Sequence, residues 1–297
     1  MSPELPFVKI RSFQAGCTLA GIGLLGMANP AFAGLELLPP SEPPSIFAGS
    51  SKAIPLLWRN GGDEILTSNL HFRMYQASSA TAMPFMEAPW KQLTVLPGQT
   101  VVESARLDFP TIKTETRFIV QWLDPTNRAL GNSEVDVFPA RLLSGLSTLA
   151  APEGMGVYDP GNCMKPVLKD AGVDVVDLQQ FAAFEGRLAL FVPSSALTEP
   201  GEDVIERVKG LAKTTAAIVW IVPPRVPPAP LQPTFAILTL RKASIVLAQS
   251  SLVTNLAEDP RAQLKLVELA RLALHPAPPF PEFPRKLSAS IPLENQQ

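Results

Sequence analysis

Apolar and polar side chains alternate at every step in segment 69–76, and shorter segments nearby show the same period of two. This period is typical of strands with one buried face. Turn residues such as Gly61 and Gly62 separate the segments. The predicted strands are 53–60, 69–76, 93–96, 100–103, 116–123 and 135–138. Short strands at roughly ten-residue spacing without a helical period predict an immunoglobulin-like β-sandwich over residues 45–140.

From residue 150 onward the pattern changes to short apolar runs that alternate with amphipathic segments. The predicted strands are 154–159, 174–178, 187–193, 216–222, 235–240 and 244–248, and the last two are expected to form a hairpin. The predicted helices are 163–171, 201–213 and 260–274. Asn162 and Asp259 are the expected N-caps of the first and last helices. Alternating strands and helices predict a doubly wound, mostly parallel sheet over residues 150–276. The fold class is therefore multidomain, β plus α/β.

The first 33 residues have the pattern of a secretory leader. Lys9 and Arg11 precede an uncharged apolar run, and the small residues Ala31 and Ala33 frame a cleavage site. The run of about 13 residues is too short to span a bilayer, which needs roughly 20. We expect cleavage after Ala33 and export to the periplasm or the extracellular space. Cys17 precedes the apolar run rather than following it, which argues against a lipid anchor.

The 32 prolines concentrate in three places and predict the connecting segments. Proline runs favour stiff polyproline II conformations. Residues 34–44 are accordingly interpreted as a proline-rich linker, and Pro223 to Pro233 as a loop that closes over the sheet edge or projects from it. Residues 277–297 are interpreted as a proline-rich flexible tail.

The composition and charge of the chain argue against several classes of binding partner and cofactor. A net charge of −2 without a run of Lys or Arg argues against nucleic acid and against anionic membrane surfaces. No later stretch has the length and apolarity needed for stable membrane insertion. After leader removal Cys163 is alone, so an intramolecular disulfide is excluded. His71 and His275 lie far apart, and no calcium-loop spacing occurs, so we expect no metal and no cofactor.

Resemblances to known families rest on a few motifs. The turn Leu96 to Thr100 and the strand around Trp122 resemble the exported Ig-like domains that bacteria attach to larger surface or carbohydrate-active proteins. The segment Gly156 to Pro160, the strand that ends at Pro193 and the segment Asp259 to Leu264 resemble a divergent, flavodoxin-like form of the class I glutamine amidotransferase fold.

The catalytic set that this second resemblance implies is missing from the chain. An active member needs a cysteine at a strand-to-helix elbow after the fourth core strand, with a downstream histidine and carboxylate. Here that strand runs into a proline-rich segment, and His275 follows the last helix. Cys163, near a predicted helix N-terminus, is the one catalytic candidate. Asp159, Ser194 and Ser195 follow strands at the same edge and are the ligand-binding candidates there.

Trp90 is the remaining candidate, because it lies in a stretch predicted to be irregular and exposed, where a ring can contact a sugar. The function expected from these observations is a non-catalytic exported binding or scaffolding protein of the bacterial envelope. Its expected partner is another envelope protein or a glycan. The alternatives are a hydrolase or transferase that acts on glycan or cell-wall substrates, and a carbohydrate-binding module that uses Trp90.

Overall fold

The computed structural model describes residues 34–50, 53–78, 80–180, 184–192, 202–222, 235–240, 243–249 and 251–276. Two units follow one another: a β unit, residues 34–138, and an α/β unit, residues 144–276. The first contains mainly antiparallel strands, and the second contains a mainly parallel sheet with helices. This confirms the predicted mixture of β and α/β architecture.

The β unit contains two sheets whose inner faces enclose one hydrophobic core. Its strands are β1 (Leu35–Leu38), β2 (Ser45–Phe47), β3 (Ile54–Asn60), β4 (Leu66–Ala77), β5 (Ala82–Val95), β6 (Thr100–Ala105), β7 (Thr116–Leu123) and β8 (Ala129–Phe138). One sheet has the order β1-β3-β6 and the other β2-β8-β7-β4-β5. Trp58 of the first sheet meets Trp122 of the second edge-on at 5.8 Å between ring centroids.

Two predictions for the β unit were wrong. The linker expected at 34–44 contains β1, which pairs antiparallel with β3 and buries Leu35 and Leu37. The stretch expected to be irregular around Trp90 belongs to β5. In both places the prolines masked the strand pattern. Pro84 and Pro89 are tolerated in β5 because it is an edge strand paired only with β4, so its outward side needs no N–H donors.

The α/β unit has one six-stranded sheet in the order β10-β9-β11-β12-β14-β13. Its elements are α1 (Ser144–Ala150), β9 (Met155–Tyr158), α2 (Lys165–Asp170), β10 (Val176–Asp177), β11 (Leu188–Phe191), α3 (Glu202–Leu211), β12 (Ala217–Val222), β13 (Phe235–Leu240), β14 (Ala243–Gln249), α4 (Ser251–Thr254) and α5 (Pro260–Leu274). All neighbours are parallel except β13 and β14, which pair antiparallel. The hairpin expected at this place is confirmed.

Both faces of the parallel sheet are covered. Leu188 and Leu190 of β11 belong to the core shared with α1 and α5, whereas Ala189 and Phe191 belong to the core shared with α3. A strand that is buried on both sides has to be apolar throughout, which is how β11 was recognised in the sequence. The helix α5 has its predicted bounds, and the Asp259 side chain caps it by accepting the Arg261 N–H at 2.9 Å.

The two units are joined by ionic contacts to a carboxylate that is almost inaccessible to solvent. The Asp136 side chain on β8 is 6% exposed and accepts hydrogen bonds from Arg117 Nε at 2.9 Å and Arg261 Nη2 at 2.8 Å. Arg261 lies in the first turn of α5, and its guanidinium also donates to the Pro43 carbonyl at 2.9 Å. We call these three charged residues, Arg117, Asp136 and Arg261, the junction triad. It fixes α5 of the α/β unit against β2 and β8 of the β unit.

We predict that Arg261→Ala destabilises the chain by about 1–2 kcal/mol, since hydrogen bonds to charged groups contribute on this scale and the arginine side chain is 38% exposed. The two units should then unfold less cooperatively, which scanning calorimetry would record as a broadened or split transition. Arg271→Ala, at an exposed position near the other end of α5, is the matched control. A sharp, unshifted transition in Arg261→Ala would contradict this role of the junction triad.

Candidate functional site

Asp159 follows β9 at the carboxyl edge of the parallel sheet, where the sequence placed a pocket. Its side chain is buried, and its oxygens accept N–H groups from Cys163 at 3.1 Å, Met164 at 2.7 Å and Lys165 at 3.0 Å. These are the amides that open α2 and that have no partner inside the helix. Asp159 therefore anchors α2. The predicted cap at Asn162 was wrong: Asn162 has a φ of +53° and makes the turn before the helix.

Cys163 lies in the same turn as Asp159 and is exposed. Its Sγ lies 3.5 Å from the Gly161 carbonyl oxygen, a weak donor contact. The structure thus brings Cys163 and Asp159 together, but through the cysteine backbone N–H rather than its thiol. Ser194, Ser195 and the loop Pro223 to Pro233 lie outside the described residues.

A polar pair next to this edge was not recognised in the sequence. Lys165 of α2 donates to Asp177 of β10 at 3.0 Å and to Gln179 at 3.2 Å. The Gln179 backbone N–H and then the Lys165 ammonium lower the pKa of Asp177. Asp177 and Lys165 tie the helix to the edge of the sheet.

An aromatic row crosses the sheet near the carboxyl ends of its strands. Tyr158 of β9 and Phe191 of β11 are stacked at 4.3 Å, and Phe191 meets Trp220 of β12 edge-on at 6.0 Å. The guanidinium of Arg207 on α3 lies 5.3 Å from the Tyr158 ring centroid and donates to the Leu178 carbonyl at 3.0 Å. Stacking and cation–π contact hold α3 over the sheet.

The structure does not give Trp90 the free position that the sequence predicted. The residue is half-buried in β5, at 6.2 Å from Trp58 and 4.9 Å from Trp122, and it belongs to the packing of the sandwich core. The Lys91 ammonium also lies 4.9 Å from the centroid of the Trp90 ring. A sugar stacked flat on Trp90 would have to replace these contacts, so the expectation of an exposed platform was wrong.

The outer face of the five-stranded sheet carries a group of four polar side chains that we call the outer-face network: His71, Arg73, Glu87 and Asn127. Asn127 Oδ1 accepts from Arg73 Nη2 at 3.2 Å and lies 3.1 Å from His71 Nε2. Arg73 Nε donates to Glu87 Oε2 at 2.8 Å, and Glu87 Oε1 lies 3.9 Å from His71 Nε2. Three hydrogen-bonding contacts therefore join His71, Asn127, Arg73 and Glu87 in a chain, whose ends lie 3.9 Å apart, beyond hydrogen-bond distance.

Three different parts of the chain supply this network, which is why the sequence did not reveal it. His71 and Arg73 occupy polar positions of β4, Glu87 opposes Arg73 on β5, and Asn127 comes from the turn between β7 and β8. The alternation His-x-Arg on the polar side of β4 was the one visible signal.

The turn that carries Asn127 is braced by Asp124. The Asp124 carboxylate accepts the Thr126 N–H at 2.9 Å, the Thr126 hydroxyl at 2.6 Å and the Arg128 N–H at 3.0 Å. Asn127 has a φ of +65°, in the left-handed region that asparagine tolerates better than most residues. The turn thereby holds Asn127 beside β4.

Electrostatics hold the Arg73–Glu87 pair of the network in its ionised form. Its hydrogen bond to Arg73 lowers the pKa of Glu87, and the same bond raises the pKa of Arg73. Both groups are therefore ionised at neutral pH, and their charges cancel.

One cavity adjoins the outer-face network and another adjoins the junction triad. The first, of about 230 Å³, is bounded by Arg73, Met74, Tyr75, Pro84, Phe85, Met86 and Glu87. The other, of about 370 Å³, lies at the junction of the two units and is lined by polar and charged side chains: Glu42, Ser45, Asn255, Glu258, Asp259 and Arg261. Within the described ranges, no cluster of three His, Cys, Asp or Glu side chains has a metal-binding arrangement. No helix in the same ranges is long and apolar enough to cross a membrane.

Comparison with known proteins assigns no family. No family model matches the chain, and no curated protein matches it. Among solved structures, the DNA glycosylase AlkC of Pseudomonas fluorescens is 15% identical over 35% of this chain and 30% of its own, with a TM-score of 0.27. A β-glucosidase from Listeria innocua is 14% identical over 36% of this chain and 16% of its own, with a TM-score of 0.25.

A Niemann-Pick type C2 protein from the Japanese carpenter ant is 8% identical over 32% of this chain and 78% of its own, again with a TM-score of 0.25. Similarities this low support no assignment of fold or function.

We predict that Asp159→Ala destabilises the chain by about 2–3 kcal/mol, because three amides of the α2 start lose a buried, charged acceptor. Denaturant unfolding followed by circular dichroism measures the change. Asp174→Ala, which removes an exposed carboxylate from the same unit, should stay near the wild-type stability. Unchanged stability in Asp159→Ala would show that the carboxylate is not the anchor described here.

The ion pair in the outer-face network predicts a specific titration. Because hydrogen bonding to Arg73 lowers the pKa of Glu87, the pair is complete at neutral pH and is lost as the pH falls through that lowered pKa. Carbon-13 NMR of the Glu87 carboxyl should therefore give a lower pKa in the wild type than in Arg73→Ala. Equal pKa values in the two proteins would mean that the ion pair does not persist in solution.

Proposed function

We propose that this chain is an exported, non-catalytic binding or scaffolding protein of the bacterial envelope. Its β unit would be an Ig-like sandwich, a proposal supported by two face-to-face sheets around one core with Trp58 and Trp122 at its centre. Export is supported by the leader pattern that ends at Ala33. The partner would be another envelope protein or a glycan.

The α/β unit would be a divergent, doubly wound domain similar to flavodoxin-like and class I amidotransferase-like folds. Counted within the unit, its first four strands lie in the order 2-1-3-4, and the next neighbour is the last strand of the hairpin. That order agrees with the flavodoxin-like arrangement up to the inserted hairpin strand. Because one fold serves many functions, the fold supports the architecture and not an activity.

The observation that carries the binding proposal is the outer-face network. Four polar side chains from three segments are already linked by hydrogen bonds, next to a cavity, on the outer face of the five-stranded sheet. Ordering such side chains costs conformational entropy, and a surface that is ordered beforehand binds with less of that cost. The junction triad then gives this face a fixed position relative to the α/β unit.

The same geometry weighs against the hydrolase or transferase alternative at Asp159 and Cys163. Asp159 holds both of its oxygens against the amides of α2, so a catalytic role would require it to leave a structural position. The described contacts of the Cys163 thiol end at a carbonyl oxygen, which cannot serve as a base. We therefore propose no reaction at this edge.

The experiment is an affinity capture from native envelope extract, with residues 34–297 as bait. A genuine partner should be recovered by the wild-type bait and be lost with Arg73→Glu, which breaks the outer-face network. Arg59→Glu makes the same charge change at an exposed position of β3, on the other sheet, and should retain the partner. If folded wild-type bait recovers nothing above background, or if both variants behave alike, the binding proposal at this face is overturned.

A further inference from the structure

The outer-face network presents hydrogen-bond donors and acceptors side by side, and its Arg73–Glu87 pair carries no net charge. Arg73 supplies guanidinium N–H groups, Glu87 supplies carboxylate oxygens, and the two charges cancel. Within the described part of the chain, the Asn127 side-chain nitrogen and His71 Nδ1 make no hydrogen bond, so both are available to a ligand. A phosphate or sulfate group calls for excess positive charge, and a hard cation calls for oxygen ligands throughout.

A ligand that matches this set carries groups that both donate and accept. Hydroxyl groups have this property, since each supplies one donor and two acceptor lone pairs. The Arg73 Nη1 N–H groups, the Glu87 carboxylate lone pairs and the Asn127 side-chain nitrogen can each make a hydrogen bond to such a hydroxyl. A neutral polyhydroxylated ring therefore fits the network better than an ion does.

The cavity of about 230 Å³ next to the network adds an apolar surface to the polar one. Arg73, Tyr75 and Glu87 form its polar side, and Pro84 and the exposed part of Phe85 form the apolar side. The rest of the Phe85 ring meets Phe118 of the sandwich core edge-on at 6.0 Å between ring centroids, and Met86 packs against the same core. The register of β4 and β5 shifts at this point, which leaves Phe85 as an extra residue, 44% exposed. Drug-sized ligands occupy larger cavities, roughly 300–1,000 Å³, so this one suits a smaller molecule.

We propose that the outer-face network and this cavity together form a binding subsite for one ring of a neutral glycan. The hydroxyl edge of the sugar would contact Arg73, Glu87 and Asn127, and its C–H face would pack on the apolar side of the cavity. The inference rests on the proposed binding function and specifies its ligand class. It places the sugar contact on the outside of the five-stranded sheet, away from Trp90.

The test is a titration of isotope-labelled mature chain, residues 34–297, with maltohexaose, cellohexaose and chitotetraose, followed by NMR. At least one of these glycans should shift the Arg73 Nε–H and Asn127 side-chain amide resonances in a saturable way. Arg73→Ala and Asn127→Gly should each weaken that binding at least about tenfold, because each removes hydrogen bonds to charged or polar partners. Glycine accepts the positive φ at 127, so the second variant spares the backbone.

Arg59→Ala is the matched control and should bind within about twofold of the wild type, since additive effects are small for distant sites. The protein should bind sulfated dextran, an anionic probe, no more tightly than neutral dextran. The inference is overturned if no glycan shifts these resonances, if binding survives both network variants, or if only the sulfated polymer binds. Capture of a protein partner through Arg73 would still uphold the proposed binding function in each of these cases.

Discussion

The carboxylate of Asp136 constrains how the whole chain is arranged. A charge that is 6% exposed has to be paired, because an isolated ion is strongly destabilised when it leaves water. Arg117 satisfies it from within the β unit, and Arg261 satisfies it from the first turn of α5. Because both guanidinium groups converge on one acceptor, displacing either unit would leave a buried charge with fewer partners. This contact therefore sets the relative orientation of the two units and also stabilises their association.

The fixed junction sets the relative position of two polar regions, one in each unit. At the carboxyl edge of the parallel sheet, the polar and aromatic side chains contact other parts of the same unit. Asp159 anchors α2, Lys165 and Asp177 join α2 to β10, and the aromatic row contacts α3. The outer face of the five-stranded sheet is organised toward solvent, where the polar network remains partly open. Ordered polar groups whose hydrogen-bonding atoms still face solvent are better candidates for binding than polar groups buried inside the fold.

Sequence patterns predicted most of the strands and helices because local physics determines them. The period of two marked β4 and β7, full apolarity marked β11 and β12, and an Asp-Pro start marked α5. Prolines concealed β1 and β5, since an edge strand tolerates residues that a central strand cannot. Short helices such as α1 and α4 have too few turns to show a period. The outer-face network and the junction triad were not predictable, because their members are distant in sequence and meet only through the topology.

The central claim, that the junction triad holds the two units in one orientation, is tested most directly by a distance distribution between them. Cys163 is exposed in the α/β unit, and Arg59→Cys adds a second exposed label site in the β unit. Electron–electron double resonance on the spin-labelled mature chain should give one narrow distribution, which becomes broad when Arg261→Ala is added. A broad distribution already present with Arg261 intact, or a narrow one that survives its loss, would contradict the account.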